Sequence, residues 1–438
     1  MRIKPRPLQI SDDTGFDPSI DIFKRGILGE RLANLLENAE ESLIIGIDGQ
    51  WGEGKSTFAR MLKGHLKTKK SVTTIYFDAF EHDYQKDPFL AIAAQIIDQT
   101  EATKNQVASF KKSAIRVTKT IFRGALRVGI KAVSAGALDE TTLEDLDISK
   151  DVGDELSAGV DKFLSEKLES SREEKNALDN FKKELESFIT AAGNGKPITF
   201  IIDELDRCRP DFCVELIEQI KHLFTVKNLN FLIVTNKSQI ATTIKNKYGK
   251  EINAHLYLQK FIDLWISLPR TDDRYENHAR KYLGFLLPRV LNEGEKTKNN
   301  DIFEILEKLF SINKTSLRGI EKTISYVAIL QNSTDSEYYG YYQAAIAVSC
   351  YCKAEKPEIL KLLIESRDHN SIIEQILTST EFDESSIVEY TKNIIRYCLG
   401  TDEEKQKMRE EEHYNSREFP RGNPFASVAI SLDGLHLQ

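Results

Sequence analysis

A single short loop constrains this chain more than anything else in it. Gly49-Gln50-Trp51-Gly52-Glu53-Gly54-Lys55-Ser56 fits the spacing G-x-x-x-x-G-K-[ST]. It follows an apolar run of strand length, Ser42–Asp48, and precedes a helical pattern of Phe58, Met61 and Leu62. Strand, glycine-rich loop and helix, in that order, are the context a chance glycine-rich turn would lack. Three glycines let the backbone turn tightly with its N–H groups pointing inward, where they and the helix N-terminus form a cradle for phosphate oxygens. Lys55 is placed to reach the β- and γ-phosphates, and the Ser56 hydroxyl to complete the shell of an Mg²⁺ ion, so Gly49–Thr57 is expected to bind ATP with Mg²⁺.

A second constraint lies some 150 positions on, where the apolar run ITFII ends in Asp203-Glu204. Asp203 is placed to hold the Mg²⁺, directly or through water. Glu204 points to another side of the strand end and is the candidate general base for the attacking water; the alternative is a helix-capping or surface carboxylate. A further strand, FLIVT (Phe231–Thr235), is the candidate to lie between the loop strand and the acidic strand. Thr235 or Asn236 at its end is a candidate to hold the lytic water, against an ordinary strand-end turn. Thr73–Phe80 reads as another strand, followed by a helix from about Pro88. Strands alternating with helices predict a three-layer α/β/α core with a mainly parallel sheet.

The rest of the chain is organised around that core. Residues 1–20, punctuated by Pro and Asp, are expected to form an extended arm, the core to occupy 21–270, and residues 271–438 to form a C-terminal helical domain ending in an extended or strand-like tail from Phe419. Residues of about 101–172 break the rhythm as a charged insertion. From Lys104 to Lys131 there are eight basic residues and no acidic one, whereas Asp139–Glu155 holds eight acidic residues and one lysine. Lys112, Arg116, Lys119, Arg123, Arg127 and Lys131 fall along one face of a helix beside Ile115, Phe122, Leu126 and Ile130. This basic helix, 112–131, can pair with its acidic neighbour, lie on an anionic membrane surface or contact a nucleic-acid backbone. Gly124, Gly129 and Gly136 lower its helix propensity, which suits folding on contact. A regular helix resumes at about Glu173–Ala191.

Composition sets the outer bounds. The chain has 438 residues, 40% hydrophobic and 29% charged, with 60 Lys+Arg against 68 Asp+Glu for a net charge of −8. That excludes a disordered chain and argues against a uniformly basic nucleic-acid binder. The five cysteines, Cys208, Cys213, Cys350, Cys352 and Cys398, lack paired C-x-x-C spacing and read as free core thiols. The longest charge-free stretch of the C-terminal half, Tyr338–Cys352, is 15 residues. A bilayer span needs roughly 18–20. With no secretory signal at the start, a cytoplasmic protein without a transmembrane segment is expected, with the inner-membrane surface as an alternative location.

Taken together, GQWGEGKST, YFDAFEHDYQKDPFLAIAAQI, IDELDRCRP and LYLQKFIDLWISLP resemble the KAP family of P-loop NTPases, in order, over roughly residues 17–330. The resemblance implies an ATPase core of the additional-strand type, an insertion between the two Walker motifs and a helical region after the core. Lys55, Ser56, Asp203 and Glu204 then fall on the Walker positions. Arg207 and Arg209 become candidates for a charge-stabilising arginine acting in cis or on a neighbour's γ-phosphate, against salt bridges to Asp206 or Asp211. Arg318 resembles a sensor arginine, against a solvated helix face, while Asn236 stands where the family often has aspartate. Family insertions often carry transmembrane helices, and this one has no spanning run. The resulting expectation is an Mg²⁺-dependent ATPase that couples nucleotide state to conformational change or assembly, as a homo-oligomer or within a multi-protein complex, with a role in anti-phage defence implied by the resemblance. The alternative is a nucleotide-gated scaffold or signalling switch with slow, incidental hydrolysis. A small-molecule kinase is disfavoured, because DELDRC follows the strand and no lid motif is evident.

Overall fold

The structure, a computed structural model, describes residues 1–39, 41–85, 87–135, 153–269, 278–291, 300–333, 338, 340–365, 368–378, 386–411 and 422–434, with the backbone alone for 121–135, 153–170, 300, 411 and 434. Helix α1 (Gly26–Glu37) leads into β1 (Ile44–Asp48), the glycine-rich loop and α2 (Lys55–His65). Strand β2 (Thr74–Asp78) is followed by the short α3 (Ala79–His82) and α4 (Pro88–Asp98), then by two long helices, α5 (Lys104–Ala135) and α6 (Gly153–Ala192). Strand β3 (Ile198–Asp203), α7 (Pro210–Gln219), β4 (Leu229–Thr235), α8 (Lys237–Tyr248), α9 (Ala254–Leu258) and β5 (Leu264–Ser267) complete the sheet and its connections.

The five strands are ordered β2-β3-β4-β1-β5 and every pairing is parallel. Strand β4 therefore separates the loop strand from the acidic strand, in the position FLIVT was expected to fill. The central strands β1, β3 and β4 are almost wholly buried because helices cover both faces. Alternation then divides their side chains: Phe77, Phe200, Ile202, Phe231 and Ile233 face one apolar layer, and Ile45, Ile47, Ile201, Leu232 and Val234 the other, against Leu32 of α1 and Phe58 and Leu62 of α2. Edge strand β5 was not legible in the sequence. Its four residues are half-exposed to exposed, so it has neither a long apolar run nor a buried face to announce it.

Helices α5 and α6 pack together, and the base of this pair belongs to the core. Phe181 of α6 packs against Phe89 at 5.0 Å, Phe110 at 5.6 Å and Phe224 at 5.6 Å. Helix α6 starts at Gly153, well before the Glu173 read from the sequence, and α5 runs unbroken through Gly124 and Gly129. Lys111, Lys112, Ile115, Arg116 and Lys119 are exposed, and among the described residues none of these basic side chains forms an ion pair with α6. The acidic run lies largely outside the described residues.

Beyond the sheet, all regular elements among the described residues are helices: α10 (His278–Val290), α11 (Asn300–Ile312), α12 (Leu317–Asn332), α13 (Gly340–Glu355), α14 (Pro357–Glu365), α15 (His369–Leu377), α16 (Ser386–Leu399), α17 (Asp402–Glu411) and α18 (Pro424–Gly434). The charge-free stretch forms most of α13, buried from Ala344 to Cys352 among α11, α12 and α18. No helix among the described residues is long and apolar enough to cross a membrane. All five cysteines are free and buried. The expected extended tail is corrected by the structure. Asn423 accepts from the Phe425 amide at 3.0 Å, Pro424 occupies the first helical position, and α18 buries Phe425, Val428, Ala429 and Leu432. Proline there starts a helix, because its missing N–H is one a first turn leaves unbonded anyway.

The first 25 residues carry no regular element. They act as a strap. Arg2 N and Arg6 N donate to the carbonyls of Val290 and Arg289 at 2.6 and 3.3 Å, while Asp12 pairs with Lys63 of α2 at 2.9 Å. The strap thus joins α10 to the core, and its residues Pro5–Leu8 line the cavity beside the glycine-rich loop.

Candidate nucleotide-binding site

Gly52 and Gly54 take φ of +77° and +80°, which lets the loop turn and hand over to α2 at Lys55. Lys55 is buried inside that turn, its Nζ donating to the carbonyls of Gly49 and Gln50 at 2.8 and 3.0 Å. Burial pushes its pKa down, opposed chiefly by the charges of Asp206 and Asp203. Glu53 braces the loop from within, its carboxylate accepting from Gln50 N at 2.8 Å.

Asp203 ends β3 and is 1% exposed. Its Oδ1 accepts from Glu204 N at 2.9 Å and its Oδ2 from the Tyr76 hydroxyl at 2.6 Å. Glu204 sits at φ +59°, in the left-handed region that a side chain rarely adopts, so local strain is held where the two acidic groups part. One carboxylate oxygen of Glu204 accepts from the Ser56 hydroxyl at 3.3 Å, and the other pairs with Arg207 Nε at 2.6 Å. Burial raises the Glu204 pKa, the Asp203 charge adds to that, and Arg207 opposes it. Asp206, also buried, accepts a hydrogen bond from Trp51 Nε1 and ties the loop to the turn after β3.

A cavity of about 370 Å³ opens on these groups. Gly52, Gly54, Lys55, Ser56, Thr57, Asp203, Glu204 and Arg207 line it, together with the apolar Pro7, Phe23, Tyr282, Phe285 and Leu286 and with Arg318 and Glu321. Helix α12 is docked on the loop, Leu317 N donating to the Gly52 carbonyl at 3.0 Å, which brings Arg318 into the cavity wall. Arg207 pairs with Glu204 and not with Asp206 or Asp211. Arg209 stands elsewhere: Nε donates to the Asp83 carbonyl at 2.9 Å and Nη2 to the Gln85 carbonyl at 3.1 Å, so it pins the turn after α3 and does not line the cavity. Asn236 is likewise turned away. Its Oδ1 caps α8 through Ser238 N and Gln239 N at 3.1 and 3.3 Å, and its Nδ2 donates to the Gln50 side chain at 3.1 Å. The Thr235 hydroxyl is buried without a hydrogen-bond partner among the described residues.

Two participants had no signal in the sequence. Arg25, 3% exposed, donates from Nη1 to the Glu53 carbonyl and from Nε to the Pro269 carbonyl, both at 2.9 Å, and burial lowers its pKa to about 10. Tyr76 is the other, an ordinary strand residue until the sheet sets it beside Asp203.

Among the described residues no group of three or more His, Cys, Asp or Glu side chains is arranged to cage a metal. The Ser56 hydroxyl and Asp203 carboxylate instead offer hard oxygen donors beside a phosphate cradle. That fits Mg²⁺, which keeps several waters and is held by one or two carboxylates and the phosphates of its nucleotide.

Comparison with known proteins adds three findings. Solved structures of the Aeropyrum pernix ORC2 protein (ADPNP-ADP complexes) and of the Aeropyrum pernix ORC1 protein in complex with DNA align with TM-scores of 0.38 and 0.34 at 13% and 14% identity. Each alignment covers 94% of this chain, and 86% and 84% of theirs. An uncharacterized protein of Methanocaldococcus jannaschii is 26% identical over 135 residues, which is 29% of this chain and 66% of that protein. The model of the KAP family P-loop domain matches residues 28–334.

Proposed function

The chain belongs to the KAP family of P-loop NTPases, and from that premise we propose that it binds ATP with Mg²⁺, hydrolyses it, and passes the change of state to its helical part, residues 271–438. The observation that carries this reading is the meeting of Ser56, on the first turn of α2, with Glu204 beside Asp203 at the end of β3, on the wall of one cavity with the phosphate cradle.

The loop amides and Lys55 hold the β- and γ-phosphates, Lys55 exchanging its two carbonyl partners for phosphate oxygens. Ser56 and Asp203 would hold Mg²⁺, which would supply charge neutralisation for the phosphates. Glu204 takes the proton of the attacking water, and its raised pKa suits that task at neutral pH. Arg207 holds Glu204 until the triphosphate offers its guanidinium a stronger anion; this is an arginine acting in cis. Arg318 meets the nucleotide from α12, and with the Leu317–Gly52 hydrogen bond it is the route by which phosphate occupancy shifts that helix. The apolar part of the cavity wall, from the strap and α10, takes the nucleobase.

Lys55→Ala should abolish nucleotide binding, whereas Glu204→Gln should bind ATP and release no phosphate; unchanged phosphate release by Glu204→Gln refutes the assigned base. One observation favours a second reading, a nucleotide-gated switch that turns over slowly: Glu204 is already occupied by Arg207 and Ser56. In that case partner affinity follows nucleotide state while phosphate release stays slow in the unaltered protein. Assembly as an oligomer is tested by solution mass with and without ATP and Mg²⁺. The exposed basic side chains of α5 are offered to an anionic partner, whether nucleic acid or membrane, and charge-reversal of Lys112, Arg116 and Lys119 tests that contact. A role in defence against phage rests on family membership alone, and plaque counts with Lys55→Ala test it.

A further inference from the structure

The groups around Asp203 include one side chain that belongs neither to the phosphate loop nor to the acidic pair. Tyr76 lies in edge strand β2, opposite Ile201 of β3, and its hydroxyl donates to Asp203 Oδ2 at 2.6 Å. On the open side of β2 the strand's own backbone is fixed as well: Gln99 accepts from Tyr76 N at 3.0 Å and donates to the Tyr76 carbonyl at 2.8 Å. Arg60, one helical turn beyond Ser56 on α2, sets its guanidinium 5.7 Å from the centre of the Tyr76 ring. The phenol is therefore held through its backbone, its ring and its hydroxyl.

From this arrangement we infer that Tyr76 is a positioning residue for Asp203 and sets the Mg²⁺ requirement of nucleotide binding. The inference rests on the reading above, in which Ser56 and Asp203 hold the ion. A carboxylate offers about four lone-pair sites. Two are committed, one to Glu204 N in the turn after β3 and one to Tyr76 in β2, and because each carboxylate oxygen takes one of these donors they fix the plane of the carboxylate. The sites left over keep one direction in which to bind a cation or its water. Without the phenol, Asp203 would keep a single donor and turn about its side-chain bonds inside a buried space. Partners one step removed from a metal act in this way, and losing one typically costs about 10–100-fold in metal affinity.

Tyr76→Phe tests the inference, since it deletes the hydroxyl and keeps the ring against Arg60. Binding of a fluorescent ATP analogue is measured across an Mg²⁺ titration and in EDTA, with Mn²⁺ binding followed by electron paramagnetic resonance. The midpoint in Mg²⁺ should rise about 10-fold or more, the Mn²⁺ affinity should fall in parallel, and affinity in EDTA should stay within about 2-fold of the unaltered protein. Arg60→Met should move the midpoint the same way by less. An unmoved midpoint in Tyr76→Phe overturns the inference and leaves the nucleotide site standing. Equal losses with and without metal also overturn it, because they mark a merely structural role. If the unaltered protein itself binds nucleotide indifferently to Mg²⁺, the underlying reading fails instead.

Discussion

Replacing Gly52 by alanine tests whether the phosphate loop and α12 are mechanically one unit. Two costs add. At φ +77° a side chain sits in the left-handed region, at about 1–2 kcal/mol. The new Cβ would also lie 2.7 Å from Arg318 Cβ, 3.1 Å from Ser316 Oγ and 3.2 Å from Arg318 N, and the helix backbone there has no flexible end to yield. Overpacking of this kind costs about 1–3 kcal/mol, for a total of about 2–5 kcal/mol. Gly54→Ala provides the comparison. Its φ of +80° carries the same strain, but its Cβ meets only Arg25 Nη1 at 3.2 Å and Leu317 Cδ1 at 3.6 Å, side-chain atoms that need give by no more than a few tenths of an ångström. Denaturant unfolding of the two variants should therefore differ by about 1–3 kcal/mol, with Gly52→Ala the weaker. Measured against the Arg318→Gly single variant, a second substitution Arg318→Gly should recover part of that difference, by removing the 2.7 Å contact, whereas Arg318→Ala, which keeps the obstructing Cβ, should not. Equal stability of Gly52→Ala and Gly54→Ala, or rescue by Arg318→Ala, would refute the close docking of α12 on the loop.

Three further outcomes follow from geometry elsewhere. Phe181→Ala removes a ring that is 0% exposed and touches Phe89, Phe110 and Phe224, so unfolding free energy should fall by about 3–5 kcal/mol; a loss below about 1 kcal/mol would detach the base of α5 and α6 from the core. Asn236→Ala should cost about 1 kcal/mol of stability through the lost α8 cap and weaken nucleotide binding through Gln50, leaving turnover at saturation little changed. Turnover lost with affinity intact would instead make Asn236 a direct holder of the lytic water. Glu204 must be ionised to accept a proton, and its pKa lies above the ordinary value of about 4.3 because of burial and then Asp203. The acidic limb of phosphate release should accordingly lie above that value, and Arg207→Ala, which removes the opposing cation, should shift it further up; a downward shift would contradict the ion pair as the opposing influence.

Much of the core was legible because its signals are local. GQWGEGKS between an apolar run and a helical pattern, and Asp203 closing ITFIID, each carry their own context within a dozen residues, and the sheet puts FLIVT between their strands as expected. What escaped was what depends on surroundings. Strand β5 is half-exposed to exposed and its apolar run is only three residues, the start of α6 lies in a charged stretch that reads as insertion, and the tail from Phe419 reads as extended although Pro424 opens α18. Among the site residues, Arg207 and Arg209 are two positions apart and look alike in sequence. Only the fold gives one to Glu204 and the cavity and the other to the carbonyls of Asp83 and Gln85.

By itself, then, the sequence determined that this chain builds a phosphate cradle on a parallel sheet, because backbone freedom at glycines and the chemistry of a lysine and a serine are properties of adjacent residues. It also determined that an acidic pair closes a buried strand. Tertiary structure alone decided which other groups meet them: Arg25 from before α1, Tyr76 from the edge strand, and Arg318 from a helix more than 250 positions beyond the loop. Such encounters depend on sheet order and helix docking, and those are settled by burial summed over the whole chain, which no short stretch of residues records.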